Sequence, residues 1–252
     1  KGAKKQVIIG ITGKYVSIRD SYASILNALE HCEGNLGVRI GVKWIDTTEL
    51  EKKGPGAVVG ELSGVDGIIV PGGFGSRGTA GKIECIKYAR ENNLPYFGLC
   101  YGFQLALIEF ARNVCGLSDA NSTEIDPSTI YPVVDLLPEQ LKKEGFGGNM
   151  RLGGREVELK KDSLASKIYG DTKAFERFRH RFECNPEYIF AFEEKGLVFS
   201  GKAPNQPIMQ VLELPTHKFF LGTQFHPEFT SRPLAPNPLF KAFIEACLKK
   251  PA

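Results

Sequence analysis

The chain has 252 residues, of which 42% are hydrophobic and 24% charged, with a formal net charge of +3. That is an ordinary globular composition, with apolar material enough for the core of one domain or two small ones. The lysines gather at the two ends (Lys1, Lys4, Lys5; Lys249, Lys250), so the near-neutral balance gives no basic face for nucleic acid, and no apolar run is long enough to span a membrane.

The six cysteines, at 32, 85, 100, 115, 184 and 247, contain no CxxC pair and no zinc-ligand spacing. With no secretory signal either, a reducing cytoplasmic setting is expected. The chain opens on Lys1, which reads as a cut from a longer polypeptide.

Residues 5–13 form an apolar run ending in glycine and predict a first, buried strand. A helix is expected over 21–31, with Ile25, Leu26 and Leu29 inward and Asp20 or Ser21 as its cap. Residues 38–45 predict the next strand, residues 46–49 a turn or short cap, and the Gly- and Pro-bearing stretch 53–60 a loop. Residues 65–70 form a strand that runs into Pro71-Gly72-Gly73-Phe74-Gly75-Ser76-Arg77-Gly78. A helix over 81–92, with Ile83, Ile86 and Ala89 on one face, leads to a short strand at 96–99.

Such alternation, apolar throughout, predicts an α/β fold: a doubly wound, mainly parallel central sheet flanked by helices. Ligands in that architecture lie beyond the carboxyl ends of the strands, where Pro71 and Cys100 both fall. Past Asn113 the pattern loosens. Loops with short ordered pieces are expected over 119–127 and 136–148. Short strands are expected over 153–159, 188–192, 197–201, 209–214 and 219–225, as an antiparallel extension of the sheet. Residues 238–248 predict a closing helix packed through Phe240, Phe243, Ile244 and Cys247.

The stretch around Cys100 carries the first chemical signal. A strand ends and a helix begins there, and Gly98 and Gly102 flank the cysteine two residues either side, allowing a sharp turn. This is the pattern of a nucleophile elbow with Cys in place of Ser. A helix start favours a nearby anion, and the Tyr101 N–H is placed to hold an oxyanion. A buried structural cysteine with packing glycines fits the same residues.

Gly72-Gly73-Phe74-Gly75 lacks the spacing of a phosphate-binding loop. It reads either as a loop presenting N–H groups to the substrate of Cys100 or as a tight turn without a ligand. In Gln224-Phe225-His226-Pro227-Glu228-Phe229, His226 has the chemistry of a general base and Glu228, two residues on, that of its orienting carboxylate; a satisfied histidine is the plainer reading. His31 and His217 receive no role. The run 176–183 alternates bulky and basic residues and fits a solvated charge run, an anion site or, least well, a nucleic-acid surface. An arginine there suits a substrate carboxylate, and the acidic stretch 119–124 suits an ammonium group.

Together these motifs resemble the class I (Cys–His–Glu) glutamine amidotransferases. The resemblance rests on Pro71 to Gly75 with Arg77-Gly78, Gly98 to Gln104, Asn121 to Glu124, Gly147 to Gly153, Arg179 to Glu183, and Gln224 to Phe229 with Ser231-Arg232-Pro233. Several of these pieces are most similar to the glutaminase domains of the CTP synthase family, and the likeness covers almost the whole chain. It implies a single glutaminase domain over 1–252 that hydrolyses L-glutamine through a cysteine thioester. Cys100 is then the nucleophile, His226 the base and Glu228 the orienting carboxylate. Gly73 and Tyr101 supply oxyanion donors, and Gly72, Phe74, Gln104, Glu124 and Arg181 bind glutamine.

The resemblance implies no cofactor and no metal within this domain. Its partner would be an N-terminal amidoligase domain of the same polypeptide, which uses ATP with Mg2+ and UTP and is activated by GTP, in a homo-oligomeric enzyme. Neither nucleic acid nor membrane is an expected partner. The chain departs from the family at Tyr101 (often Leu), Phe103 (often Met) and Phe178 (often His). A γ-glutamyl hydrolase or cysteine peptidase on the same elbow, and a non-catalytic regulatory or assembly domain, remain the competing readings.

Overall fold

The computed structural model describes residues 5–14, 19–54, 56–137 and 150–249. In chain order the elements are β1 (Gln6–Gly13), α1 (Ala23–Leu36), β2 (Arg39–Asp46), α2 (Thr47–Lys53), α3 (Ala57–Glu61), β3 (Gly67–Val70), α4 (Thr79–Glu91), β4 (Tyr96–Leu99) and α5 (Tyr101–Asn113). There follow β5 (Ala120–Ser122), β6 (Tyr131–Asp135), β7 (Arg151–Leu159), α6 (Leu164–Tyr169), β8 (Lys173–His180), β9 (Glu183–Cys184), α7 (Ile189–Glu194), β10 (Val198–Lys202), β11 (Met209–Glu213), β12 (Phe220–Thr223) and α8 (Pro238–Leu248).

Among the described residues the main sheet has nine strands in the order β2-β1-β3-β4-β12-β11-β10-β7-β8. From β2 to β12 every pairing is parallel, and from β12 to β8 every pairing is antiparallel. A small second sheet, β5-β6-β9, lies apart from it. The fold is therefore α/β with a parallel core and an antiparallel extension, as the alternation of elements predicts.

Both faces of the parallel core are buried, which is why its strands read as continuous apolar runs. Successive side chains of a strand point to opposite faces. Thus Ile68, Val70 and Tyr96 join the core beneath α4 and α5, while Ile69, Phe97 and Leu99 join the core beneath α1 and α8. The first eleven residues of α5 are all buried, so this helix lies inside the molecule. Its Glu109 is fully buried and is gripped by Arg90, whose Nε donates to both carboxylate oxygens at 3.1 and 3.0 Å.

Several expectations change. Helix α1 begins at Ala23 after a 3-10 turn at Arg19–Tyr22, so Asp20 and Ser21 fall in that turn and neither caps the helix. Residues 57–61, which overlap the loop expected over 53–60, form α3, while Asp46 caps α2 by accepting from the Thr48 and Glu49 N–H groups. Residues 188–192 are helical and not extended. Pro186 opens a 3-10 turn there and the Asn185 side chain accepts from the Glu187 N–H, a start signal that outweighs the aromatic content of the run. Residues 176–180 of the run 176–183 become the end of β8, with Glu176, Phe178 and His180 buried and the arginines between them exposed, while Glu183 opens β9. Strand β12 is not merely part of the antiparallel extension: it enters the sheet parallel to β4. Of the expected loop over 136–148, residues 138 onward lie outside the described residues, as do Gly147, Gly148 and Asn149.

Candidate active site

Strands β4 and β12 run side by side with Leu99 opposite Thr223, so whatever follows each strand emerges at the same edge of the sheet. Cys100 follows one and His226 the other. The Cys100 N–H donates to the Thr223 carbonyl at 2.6 Å, which ties the two ends together. Between β4 and α5 the backbone of Cys100 takes φ 50°, a left-handed value that a non-glycine residue rarely adopts. The bend survives because glycines stand two residues to either side of it. A Cβ on Gly102 would collide with the Val70 carbonyl, and one on Gly98 would strike the Tyr96 hydroxyl, which itself donates to the Gly102 carbonyl at 2.9 Å.

The thiol is buried, with the Gln224 amide donating toward its sulfur at 3.7 Å and the Arg179 carbonyl 3.8 Å away. The His226 imidazole, also buried, donates from Nδ1 to Glu228 Oε1 at 2.7 Å and stacks on Phe229 with ring centroids 4.8 Å apart. Its other nitrogen, Nε2, has no conventional hydrogen-bond partner among the described residues, and the Cys100 sulfur acts on the ring. A Cβ placed on Gly72 would stand 2.8 Å from His226 Cε1 and 3.6 Å from Cys100 Cβ, so ring and thiol flank the same backbone atom. Burial alone would lower the imidazole pKa. Cys100 and then Glu228 outweigh it and hold the pKa well above the ordinary value, favouring the imidazolium.

A cavity of about 640 Å³ opens over the sulfur. Gly72, Gly73, Phe74, Cys100, Gln104, Glu124, Arg181 and His226 all line it. Glu228 stands behind the ring, and Tyr101 opens α5, where a first-turn N–H has no intrahelical acceptor. The structure thus brings together the residues that the motifs single out, and it places Glu124 and Arg181, of opposite charge, around one cavity. Glu124 Oε1 also accepts the Gly75 N–H at 3.0 Å. Gln104 is held by the Phe182 carbonyl at 2.9 Å and by Gln224 Oε1 at 3.3 Å.

Sequence reasoning assigned no role to Gln224, Phe229, His180 or the Arg179 carbonyl, all of which face the site. Gln224 and Phe229 stand inside the same motif as His226, and their neighbourhood was the available signal. His180 is buried and held neutral, its pKa lowered by burial to about 3, with Nδ1 bonded to the Phe182 carbonyl at 3.1 Å. Among the described residues no group of three or more His, Cys, Asp or Glu is disposed to hold a metal ion, and no helix is long and apolar enough to cross a membrane.

An elbow cysteine, an imidazole–carboxylate pair from the adjoining strand and a glycine loop facing both are the parts of a cysteine-nucleophile site, set at the edge of an α/β sheet. The chain belongs to the glutamine amidotransferase class-I family, whose model matches residues 17–246. Within that family it is similar to CTP synthases. It is 53% identical over 251 residues to the CTP synthase of Thermococcus kodakarensis, covering 99% of this chain and 46% of that protein. It is 51% identical over 243 residues to that of Staphylococcus saprophyticus, covering 96% and 45% respectively. The chain therefore spans about half the length of the curated relatives it matches. Its fold superimposes with a TM-score of 0.88 on the Trypanosoma brucei CTPS glutaminase domain with bound acivicin, at 39% identity, over 98% of this chain and 95% of that one.

Proposed function

We propose that residues 1–252 form one glutaminase domain, which hydrolyses L-glutamine to glutamate and ammonia through a thioester on Cys100. The observation that carries this is the placement of the Cys100 thiol and the His226–Glu228 pair at the paired ends of β4 and β12. The Cys100 sulfur attacks the side-chain carboxamide carbon, and the carbonyl oxygen takes the negative charge. The N–H groups of Gly73 and Tyr101 hold that oxyanion. His226 gives its proton to the departing nitrogen, and ammonia leaves as the carbonyl re-forms. The same imidazole then removes a proton from water, which attacks the thioester and frees glutamate and the thiol. Glu228 holds the ring and its tautomer throughout.

Arg181 pairs with the substrate carboxylate and Glu124 with its ammonium group, while Gln104, Phe74 and the Gly72 backbone shape the pocket. Two opposite charges around one cavity fit a free amino acid better than an extended peptide. In the complete polypeptide the ammonia serves an amidoligase domain that aminates UTP to CTP with ATP and Mg2+, activated by GTP, in a cytoplasmic homo-oligomer. The similarity to CTP synthases and the share of their length that this chain spans support that reading.

The test is glutamate release by the wild type and by Cys100→Ala, alone and joined to the ligase domain with its nucleotides. Turnover is expected to vanish in the variant and to rise in the wild type on joining. Retained turnover in Cys100→Ala would sink the thioester route. A preference for γ-glutamyl peptides over free glutamine would replace this reading with a γ-glutamyl hydrolase.

A further inference from the structure

We infer that the side chain of Tyr101 is a positioning group for the oxyanion site: its hydroxyl clamps the Gly72–Gly75 loop, so that one residue sets both proposed N–H donors. The inference rests on the glutaminase reading above. Tyr101 presents its own N–H at the start of α5, next to the sulfur. Its hydroxyl reaches the other way and donates to the Gly75 carbonyl at 2.6 Å. The Thr79 hydroxyl lies 3.0 Å from the Tyr101 hydroxyl and 3.1 Å from the same carbonyl. From the opposite side the Gly75 N–H is held by Glu124. Gly75 has φ +74°, so it is a bend held at both of its polar backbone groups.

Gly73, the second donor, stands two residues before that anchor. The Tyr101 ring also packs under it, since a Cβ on Gly73 would lie 3.7 Å from Tyr101 Cδ1. Among the described residues no group accepts the Gly73 N–H, while the neighbouring Phe74 and Gly75 carbonyls and the Gly75, Gly78 and Ala80 N–H groups are all engaged by side chains. The loop is therefore pinned just downstream of the Gly73 N–H, which is left available for the substrate. Burial raises the phenol pKa to about 12, which keeps the hydroxyl a donor through the neutral range. A leucine at this position, frequent in the family, has the same backbone N–H and no such clamp.

Misplacing a reacting group by about 1 Å can cost on the order of a hundredfold in rate, and losing an oxyanion donor outright about 10²–10³-fold. Tyr101→Phe keeps the ring and removes only the hydroxyl. In the full-length protein carrying this chain, kcat for glutamine hydrolysis is expected to fall about tenfold or more, with KM unchanged. Alkylation of Cys100 by iodoacetamide needs the thiolate but forms no oxyanion, and it should keep the wild-type rate. Thr79→Val is expected to give a smaller loss of the same kind, non-additive with Tyr101→Phe. Unchanged kcat in Tyr101→Phe overturns the inference. So does a parallel loss of turnover and alkylation, which marks general disruption of the elbow. If the wild type itself releases no glutamate, the glutaminase reading falls and this inference falls with it.

Discussion

The His226 imidazole and the Glu228 carboxylate meet at 2.7 Å through Nδ1 and Oε1, although only one residue separates them. Pro227 opens a 3-10 turn at this point, which folds the carboxylate back under the ring, and Phe229 closes over the other face. The pair is largely buried, so the carboxylate charge is little screened and holds the ring proton firmly. Glu228→Gln is expected to lower kcat for glutamine hydrolysis by about 10²–10⁴-fold with little change in KM. The raised pKa of His226 means that the imidazolium persists above the ordinary histidine range and is lost as pH rises through the raised value. With one anion removed, the midpoint of the His226 ring signal in an NMR titration should move down. An unchanged midpoint together with unchanged turnover refutes the assignment.

Lys82 is nearly fully buried under the glycine loop, its ammonium 5.3 Å from the centre of the Tyr101 ring. Burial, and next the nearby Lys14, lower its pKa from 10.5 to about 8. Between about pH 8 and 10.5 the unfolded chain thus binds a proton that the folded chain does not. Stability must rise with pH across that window, and the full penalty applies below it. The penalty is roughly 3 kcal/mol, less whatever the aromatic ring returns. Lys82→Met should be the more stable protein at pH 7, with the difference shrinking toward pH 10 in paired thermal melts. A constant difference excludes the titration.

Arg90 and Glu109 join α4 to the interior of α5 through a two-pronged contact, in which Arg90 Nη2 adds a third bond to Glu109 Oε1 at 2.8 Å. Burial raises the Glu109 pKa and Arg90 opposes it. Arg90→Ala leaves a buried carboxylate without its cation and should destabilise the fold by about 3–5 kcal/mol near neutral pH. Without the arginine the folded-state pKa climbs further above the unfolded one. The deficit should therefore be smallest at acidic pH, where the carboxyl is neutral in both states, and grow as pH rises through the folded-state value. Denaturant melts at pH 5 and 7 check both the size and the trend.

Gly102 lies where the first turn of α5 crosses the end of β3, and a Cβ there meets the Val70 carbonyl, which belongs to the rigid sheet. Gly102→Ala should cost at least about 1–3 kcal/mol and displace the elbow. Both the melting temperature and iodoacetamide labelling of Cys100 should fall. An alanine variant that melts and labels like the wild type shows that the crossing can relax.

Much of this molecule is written locally. Apolar runs punctuated by glycine mark β1, β3 and β4, and the Asn237 cap followed by Pro238 marks the start of α8. The elbow is legible because a sharp strand-to-helix turn needs small residues at fixed offsets from Cys100. The His226–Glu228 pairing is legible because only Pro227 separates the two residues in sequence. Residues 188–192 misled because aromatic content competes with a Pro-initiated turn, and β8 was obscured because its alternation carried arginine on the outward face.

What local signals could not decide is which strand lies beside which. Pairing of β4 with β12 joins residues more than a hundred positions apart, and hydrophobic periodicity carries no record of a partner. Only the folded sheet sets Thr223 beside Leu99, and with it the imidazole beside the sulfur. The same holds for Glu124 against Gly75 and for the Tyr101 hydroxyl against the glycine loop. Chemistry-bearing residue types follow from the order of amino acids; the distances that let them act together arise from long-range packing of two apolar sheet faces.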